Sequence, residues 1–189
     1  ALPLAGSGVR GLRFLKELKK GKINALFVND KKESFVKEFR KCLVDNKLKK
    51  TKNIVIENNE ASLFLFNQVG RKSKPNNFCG YFDYIDIDPF GSPNPFLSAS
   101  IARISRFGII AVTATDTAAL SGTYPAVTKR KYWGTSLRNY MMHEVGLRIL
   151  IRKIQLQGVQ FDKALIPLLA YHKDHYFRIY FQAIKGKKK

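Results

Sequence analysis

Two carboxylates and an aromatic ring follow an apolar run that is typical of a buried strand. Residues 86–95 read Asp-Ile-Asp-Pro-Phe-Gly-Ser-Pro-Asn-Pro, and their prolines and glycine predict that the strand of residues 81–87 ends in an abrupt turn. In open α/β sheets, ligands bind at the carboxyl ends of the strands. Because charged groups are costly to place there for packing alone, this turn is a candidate reaction site.

An Asp-Pro-aromatic turn suits methyl transfer to the exocyclic amine of a base. The lone pair of that amine is delocalised into the ring, so acceptors must hold its hydrogens before the nitrogen can attack. The Asp88 carboxylate and the Pro89 carbonyl are candidates for this task, and Phe90 offers a flat face for a flipped-out purine. For an isolated Asp-Pro pair, the alternative is that Asp88 caps a helix and Phe90 lies in the core. The whole segment favours the reaction site.

The amino-terminal stretch has the spacing of a nucleotide site. A Gly-x-Gly-x-x-Gly pattern is formed by Gly6, Gly8 and Gly11. A helix-like stretch over residues 9–19 follows, and a predicted strand over residues 23–28 leads to Asp30, about 20 residues after the glycines. The glycines would let the backbone approach a ligand, and Asp30 would accept hydrogen bonds from ribose hydroxyls. The alternative is a tight glycine turn with Asp30 as a helix cap.

The nucleoside predicted at this site can belong to NAD or to S-adenosylmethionine, because the two share adenosine. The glycine pattern does not separate them. The Asp-Pro-Phe turn favours the methyl donor, S-adenosyl-L-methionine.

The segment 86–96 closely resembles the tRNA guanine-26 N2-dimethyltransferase family, which carries an Asp-Pro-Phe-Gly-Ser-Pro motif. Other stretches similar to family signatures occur in family order, at residues 8–13, 29–30, 112–116, 131–132, 143–146, 148–150 and 173–178. The resemblance covers nearly all of the chain. It implies an α/β, Rossmann-like class I S-adenosylmethionine-dependent methyltransferase, with a mostly parallel, seven-stranded sheet and a carboxyl-terminal antiparallel hairpin.

The resemblance also implies roles for individual residues. Arg10 matches a motif arginine that contacts the cofactor, and Arg13 matches a second arginine whose role is open. Glu60 and Ala61 align with an acid-alanine pair that holds the adenine, with Glu in place of the more usual Asp.

The chain departs from the family pattern at three places. Leu2 stands where the family usually has an acid at the end of the first strand, near the methionine end of the cofactor. Family chains begin earlier, with a segment that helps enclose cofactor and base, and continue into a second domain that grips tRNA. The expectation is a catalytic fragment or one half of a split enzyme, completed by a second chain or a missing domain.

Composition and charge point to one domain and a polyanionic partner. The 189 residues are 45% hydrophobic, which predicts a single domain over residues 1–185, and a basic tail over residues 186–189 is expected to be mobile. The resemblance implies that this domain is the catalytic domain of a methyltransferase. The formal charge of +20 predicts salt-sensitive binding to nucleic acid, and the family resemblance implies that this nucleic acid is tRNA. The charge is concentrated in clusters at residues 16–22, 47–52, 71–74, 129–131 and 185–189.

The sequence lacks the marks of several other classes of protein. Two cysteines and three histidines without ligand spacing argue against structural zinc. No apolar run approaches the ~20 residues of a membrane span, and no secretory signal opens the chain. We therefore expect a cytoplasmic protein with no metal and no membrane association.

Basic and aromatic residues alternate after the strand predicted over residues 108–113. Lys129, Arg130, Lys131 and Tyr132 form a candidate RNA surface, since such surfaces meet both the RNA backbone and unstacked bases. Asp116, at the end of that strand, either shapes the substrate pocket or caps a helix. A polar loop over residues 70–77 is a further candidate for phosphate contact.

The remaining patterns complete the α/β architecture. Helices are predicted over residues 31–46, 96–104 and 137–154, a short strand over 53–56, and an antiparallel hairpin over 164–171 and 175–183. In the long helix, adjacent His143 and Glu144 point in different directions, so we interpret both as structural.

Three functions remain in competition. The first is methyl transfer from S-adenosylmethionine to guanine N2 in tRNA. The second is methylation of adenine or of a glutamine amide, because related turns serve those acceptors. The third is a tRNA-binding fragment without activity.

Overall fold

The structure of the chain is a computed structural model that describes residues 1–19, 22–48, 53–68 and 81–186. The chain divides into an N-terminal unit, Ala1–Gly80, and a C-terminal unit, Tyr81–Lys189. A single catalytic domain over residues 1–185 stays a prediction. The predicted basic loop 70–77 and residues 187–189 of the tail lie outside the described residues, as do parts of the clusters at 16–22 and 47–52.

The N-terminal unit alternates helices with two parallel strands. Its elements are α1 (Val9–Glu17), β1 (Leu26–Asn29), α2 (Phe35–Asp45), β2 (Ile54–Glu57) and α3 (Ala61–Asn67). β1 and β2 pair in parallel, and Leu2 adds a single parallel bridge to Val28. In the described residues, the segment that contains Leu2 is therefore joined to β1 by one bridge rather than by a full strand.

One face of α2 supplies the core of the N-terminal unit. Phe35, Phe39 and Leu43 recur every fourth residue, and all three are buried. Leu26 and Val28 of β1 are buried as well. The helix predicted over residues 31–46 is therefore confirmed as α2.

The C-terminal unit contains a four-stranded sheet with helices between its strands. Its elements are β3 (Phe82–Ile87), α4 (Asn94–Arg103), β4 (Ile104–Ala114), α5 (Thr117–Leu120), α6 (Pro125–Tyr132), α7 (Met142–Val159), β5 (Lys163–Lys173) and β6 (Tyr176–Lys185). The strand order is β3-β4-β6-β5. β3 and β4 are parallel, and β6 is antiparallel to both of its neighbours. The predicted carboxyl-terminal hairpin is confirmed.

Some element boundaries and the sheet organisation differ from the sequence predictions. β4 begins at Ile104, directly after α4, where the sequence predicted a start at residue 108. α7 begins at Met142 rather than residue 137, because the Asn139 side chain accepts a hydrogen bond from the Met141 amide (2.8 Å) in a turn that starts the helix. Instead of one seven-stranded sheet, hydrogen bonding in the described residues gives six strands in two sheets.

In the part of the chain that the structure describes, β5 is an edge strand with exposed apolar residues. Ile166, Leu168 and Leu169 are all exposed, and the strand register shifts between Pro167 and Leu169. None of the helices in the described ranges has the length and apolar character to cross a membrane.

Candidate active site

The glycine loop of the N-terminal unit is built around Gly8. Gly8 has φ +77°, and a Cβ at this position would lie 2.2 Å from Cδ2 of the buried Phe39 ring. A side chain is thus excluded both by the backbone conformation and by the core. Gly6 also has a positive φ, +58°, but a Cβ there would meet nothing within 4 Å. The loop is therefore packed on one side and open on the other.

Asp30 lies next to this glycine loop, as the spacing predicted. Its Oδ2 accepts a hydrogen bond from the Gly6 amide (2.7 Å), and its Oδ1 accepts one from the Lys32 amide (3.0 Å). The carboxylate thus joins the loop before α1 to the turn after β1. Asp30 does not cap α2, whose N-cap residue is Ser34, so the helix-cap alternative is wrong, while the role of an acceptor beside the glycines is compatible with this position.

Asn29 organises the same region, although the sequence analysis gave it no role of its own. Its side chain is fully buried, and its Nδ2 donates to the carbonyls of Pro3 (2.9 Å) and Asn59 (3.0 Å). Its Oδ1 accepts from the Asn59 amide (2.9 Å). One amide side chain therefore ties together the segments that follow Leu2, β1 and β2. The signal available in the sequence was a polar residue, Asn29, at the end of an apolar strand.

Glu60 caps α3 through its carboxylate. Its Oε2 accepts from the amides of Ser62 (2.8 Å) and Leu63 (2.9 Å). Burial alone would raise the pKa of Glu60, but these amide hydrogen bonds outweigh it and hold the pKa below its ordinary value. Glu60 therefore stays ionised at neutral pH. Adenine binding by Glu60 and the buried Ala61 remains a prediction.

Three further predicted positions of the N-terminal unit have distinct environments. Arg10 is partly exposed in the first turn of α1. Arg13 forms an exposed ion pair with Glu17 (2.7 Å), one helical turn away. Leu2 is buried in the core of the unit, so it presents no polar group where the family usually has an acid.

These residues fit an adenosine-containing cofactor. The ribose of such a cofactor needs an acceptor for its hydroxyls, and the Asp30 carboxylate follows β1 directly, while Glu60, aligned with the adenine-binding pair, lies three residues after β2. The open side of Gly6 admits close approach of a ligand to the backbone. The described residues contain no group of three or more side chains suited to hold a metal ion.

In the C-terminal unit, the turn after β3 exposes its aromatic residue completely. Phe90 has a relative exposure of 103%, Pro89 is buried, and Asp88 is partly buried. The residue that caps α4 is Pro93, without a side-chain hydrogen bond. The structure thus contradicts the alternative in which Phe90 belongs to the core and Asp88 caps the helix.

Asp86 has a different role from Asp88, because the Asp86 carboxylate is buried and bonded inside the protein. Arg178 of β6 donates to both of its oxygens (2.8 and 2.7 Å), and the two residues are only 4% and 1% exposed. The Tyr84 hydroxyl also donates to Asp86 (2.8 Å), and Arg178 donates to Thr113 Oγ1 (2.5 Å). The sequence did not predict this network, since Asp86 and Arg178 are 92 residues apart.

The buried network changes the protonation behaviour of its members. Burial works against the charged form of Arg178, but the paired Asp86 carboxylate outweighs it and raises the pKa of the guanidinium. Burial, and then the Asp86 charge, raises the pKa of the Tyr84 hydroxyl. Arg178 is therefore charged and Tyr84 neutral across the physiological range.

The turn is also bonded to the loop that follows β4. Gly91, at φ +77°, donates its amide to Thr115 Oγ1 (2.6 Å) and accepts from the Thr115 amide (2.9 Å). Further along, the Asn94 side chain donates to the Lys131 carbonyl (2.8 Å). These bonds connect the turn to β4 and α6.

Asp116 gathers two of the predicted RNA-contact residues instead of capping α5. Its Oδ2 accepts from Lys131 Nζ (3.0 Å) and from the Tyr132 hydroxyl (3.3 Å), and it makes no side-chain capping bond to α5. The Tyr132 ring is 0% exposed, so the expectation that it meets unstacked bases is wrong for this structure. Lys129 and Arg130 are exposed, as a phosphate contact requires.

His143 and Glu144 are placed as the structural interpretation predicted. The His143 ring stacks on that of His172, with centroids 3.8 Å apart, and Nδ1 of His143 lies 3.3 Å from the Ser121 hydroxyl. Glu144 pairs with Arg148 one turn further along α7 (2.7 Å).

The N-terminal unit has parallel strands and a glycine loop, and the second sheet contains an inserted antiparallel strand. Together with the structural match that follows, these features assign the chain to the Rossmann-like class I methyltransferases. A solved structure of Trm1 from Pyrococcus horikoshii, in complex with S-adenosyl-L-methionine, matches with a TM-score of 0.82 and 32% identity. The match covers 98% of this chain and 50% of that chain.

The family profile described as "TRM: N2,N2-dimethylguanosine tRNA methyltransferase" matches residues 1–189, and the chain belongs to this family. The tRNA (guanine(26)-N(2)/guanine(27)-N(2))-dimethyltransferase of Aquifex aeolicus is 38% identical over 187 residues, which are 99% of this chain and 45% of that protein. The tRNA (guanine(26)-N(2))-dimethyltransferase of Pyrococcus furiosus is 37% identical, over 98% of this chain and 49% of its own length. The chain thus spans about half the length of the curated relatives it matches.

Proposed function

We propose that this chain carries the catalytic part of a tRNA (guanine-26 N2)-methyltransferase, which moves methyl groups from S-adenosyl-L-methionine to the exocyclic N2 of guanine. The observation that carries the proposal is the fully exposed Phe90 ring, directly after Asp88 and Pro89 on a turn fixed by hydrogen bonds. An aromatic ring in water is unfavourable for folding, so a binding task accounts for its position. Family membership of the whole chain supports the same function.

In this proposal the N-terminal unit holds the cofactor. Asp30 accepts hydrogen bonds from the ribose hydroxyls, Glu60 and Ala61 hold the adenine, and Arg10 contacts the cofactor beside Gly6 and Gly8. S-adenosyl-L-methionine supplies the electrophilic methyl group when bound. The matched Trm1 from Pyrococcus horikoshii was solved in complex with this cofactor, which supports S-adenosyl-L-methionine over NAD.

The turn of the C-terminal unit holds the target guanine. Its flipped-out ring rests on Phe90, a stacking contact worth roughly 1–3 kcal/mol per base. The Asp88 carboxylate and the Pro89 carbonyl each accept a hydrogen bond from one N–H of the N2 amine. These two bonds orient the nitrogen lone pair for attack. Catalysis is then mainly a matter of positioning.

The same unit supplies charge for the tRNA backbone. Lys129 and Arg130 are exposed on α6 and contact phosphates, whereas Lys131 is bonded to Asp116 and so contributes less to the RNA. Residues beyond this chain, in a second domain or a second chain, complete the grip on tRNA. Residues 1–185 acting as one catalytic domain, and a cytoplasmic location, belong to the same proposal.

One assay tests the reaction. The protein is incubated with unmodified tRNA and S-adenosyl-L-methionine carrying a labelled methyl group, and the RNA is digested to nucleosides. We expect labelled N2-methylguanosine or its dimethyl form. Labelled methyladenosine would favour the adenine alternative, and no labelled nucleoside would favour a fragment that only binds tRNA.

The Asp88→Ala variant tests the proposed catalytic residue. We expect it to abolish methyl transfer and to leave tRNA binding nearly intact, because Asp88 is assigned to the target amine and not to phosphate. Asp83→Ala is the matched control, since Asp83 is an exposed carboxylate on the same strand. Near-normal turnover of Asp88→Ala would reduce the turn to a structural element.

A further inference from the structure

We propose that Thr115 is a positioning residue for the methyl-transfer reaction, because its hydroxyl and amide together fix the backbone that carries Phe90 and the Pro89 carbonyl. The inference rests on the function proposed above. It concerns a residue that contacts neither the cofactor nor the base in that proposal.

The Phe90 ring has no packing of its own to hold it. At 103% relative exposure, its place is set only by its side-chain torsions and by the backbone on either side. A side chain in a packed core is held by its neighbours, but a fully exposed one is not. The accuracy with which the ring is presented therefore depends on the main chain of residues 89–91.

The two sides of Phe90 differ in how firmly they are held. Pro89 is buried, and its pyrrolidine ring fixes φ. Gly91 has φ +77°, and it has no side chain whose packing could restrain it, since even an added Cβ would meet nothing within 4 Å. Glycine also has the greatest backbone freedom of any residue. An external restraint on Gly91 is needed, or the turn is fixed on one side only.

Thr115 supplies that restraint with two hydrogen bonds. The Gly91 amide donates to Thr115 Oγ1 (2.6 Å), and the Thr115 amide donates to the Gly91 carbonyl (2.9 Å). Both main-chain polar groups of Gly91 are thus occupied by one residue. A pair of bonds fixes orientation as well as distance, which a single bond does not.

The residues on either side of Thr115 in the chain, Ala114 and Asp116, are both fixed by hydrogen bonds. Ala114 is the last residue of β4 and is paired with Phe177 of β6. Asp116 is bonded to Lys131 and Tyr132 of α6. The restraint on Gly91 therefore comes from the sheet and from α6, through Thr115.

The hydroxyl of Thr115 can be removed with little change of shape. Thr115→Val replaces Oγ1 by a methyl group, which cannot accept the Gly91 amide, while the main-chain bond from residue 115 remains possible. Thr115→Ser keeps the acceptor and loses only the methyl. Thr123→Val is the control, because Thr123 is an exposed threonine of the same unit.

Two measurements on the full chain separate positioning from stability. The first is hydrogen exchange of the Gly91 amide by NMR, which reports the restraint without requiring activity. The second is steady-state methyl transfer to unmodified tRNA, with kcat and KM for tRNA determined separately. For Thr115→Val we expect hydrogen exchange of the Gly91 amide to be about tenfold faster, because the amide loses one hydrogen bond. We expect kcat to fall by about 10- to 100-fold with KM nearly unchanged, as for a misplaced reacting group.

Thr115→Ser should restore both quantities, and Thr123→Val should change neither. Unchanged Gly91 exchange in Thr115→Val would overturn the inference, and so would faster exchange with normal kcat, or a serine variant as slow as the valine variant. If the unsubstituted protein forms no N2-methylguanosine, the proposed function fails. The restraint by Thr115 is then decided by Gly91 exchange in the valine and serine variants alone.

Discussion

The two units hold their candidate functional residues in opposite ways. In the N-terminal unit, the carboxylates of Asp30 and Glu60 bond to main-chain amides at the surface. In the C-terminal unit, the turn with Asp88 and Phe90 follows a strand whose Asp86 is bonded to a buried arginine. The candidate ligand-binding carboxylates of the N-terminal unit are held by exposed bonds, whereas the turn of the C-terminal unit follows a strand held by a buried ion pair between residues 92 positions apart.

This difference has an energetic meaning. Exposed hydrogen bonds to a carboxylate can be exchanged for bonds to water or to a ligand hydroxyl at little cost. A buried ion pair cannot be opened without leaving an uncompensated charge. The N-terminal arrangement therefore suits a loop that accommodates a ligand, and the C-terminal one suits a turn that keeps a fixed geometry.

The largest expected effect is on the buried pair. Arg178→Met leaves the Asp86 carboxylate buried without its partner and should lower the free energy of unfolding by about 3–5 kcal/mol. The measurement is urea unfolding followed by circular dichroism. Arg148→Met, which removes the exposed ion pair with Glu144, is the matched control and should cost only about 0.3–0.5 kcal/mol. If both variants lost the same free energy of unfolding, the buried and the exposed ion pair would not differ in their contribution to stability.

The second prediction concerns the exposed carboxylate of the N-terminal unit. Asp30→Ala should weaken binding of S-adenosyl-L-methionine by roughly 1.5–3 kcal/mol, because the ribose hydroxyls lose a charged acceptor. Isothermal titration calorimetry measures this change, and binding of tRNA should stay the same. Asp45→Ala, at the exposed end of α2, is the control. Equal cofactor affinity in the Asp30 variant and the unsubstituted protein would contradict the ribose assignment.

The third prediction divides the basic cluster on α6. The affinity for tRNA is plotted as log affinity against log salt concentration. Replacing Lys129 and Arg130 by Gln should reduce the magnitude of the slope of this plot by about 0.7–0.9 for each lost phosphate contact. Lys131→Gln should change the slope less, since its ammonium group is bonded to Asp116. Filter binding across a series of salt concentrations gives the slopes. An unchanged slope in the double variant would place the RNA elsewhere on the protein.

The smallest effect is expected at the stacked histidines. Burial, and then the neighbouring His143, lowers the pKa of His172 below its ordinary value of 6.5, although Asp174 acts in the opposite direction. The unfolded chain then binds a proton more readily than the folded one, so stability is lost as the pH falls below about 6.5. Within the described residues, Nε2 of His172 is buried without a hydrogen-bond partner.

His172→Phe keeps an aromatic ring in the stack and removes the titration. The unfolding midpoint, measured by thermal denaturation between about pH 5.5 and 7.5, should therefore depend less on pH in this variant. His175→Phe, at the exposed turn of the hairpin, is the control. The same pH dependence in His172→Phe as in the unsubstituted protein would exclude His172 as its source.

Local patterns predicted the elements, because each depends on residues close in sequence. The i, i+4 spacing of Phe35 and Phe39 predicted α2, and the short gap between the last two strands predicted an antiparallel hairpin. The glycine spacing placed Asp30 beside the glycine loop, and the contact with Gly6 confirms this position. The start of α7 was predicted too early because Leu137 and Tyr140 continue the apolar period but are exposed.

The contacts that fix the candidate site were not predicted, because they join distant residues. Nothing local to Asp86 indicates that its partner is Arg178, and nothing local to Gly91 indicates Thr115. Tyr132 was assigned to the RNA surface because it follows three basic residues, but a sequence run does not distinguish the two faces of a helix from each other. The different roles of Asp86 and Asp88 become visible only in the folded sheet, where Arg178 of β6 bonds to Asp86.

The edge strand β5 also influences how the molecule meets its own copies. Its apolar residues Ile166, Leu168 and Leu169 are open to solvent, which would ordinarily invite another chain to extend the sheet. Pro167 has no amide hydrogen to donate, however, and the register shift beside it interrupts the regular pleat. The strand is thus a poor template for ordered aggregation through backbone hydrogen bonds.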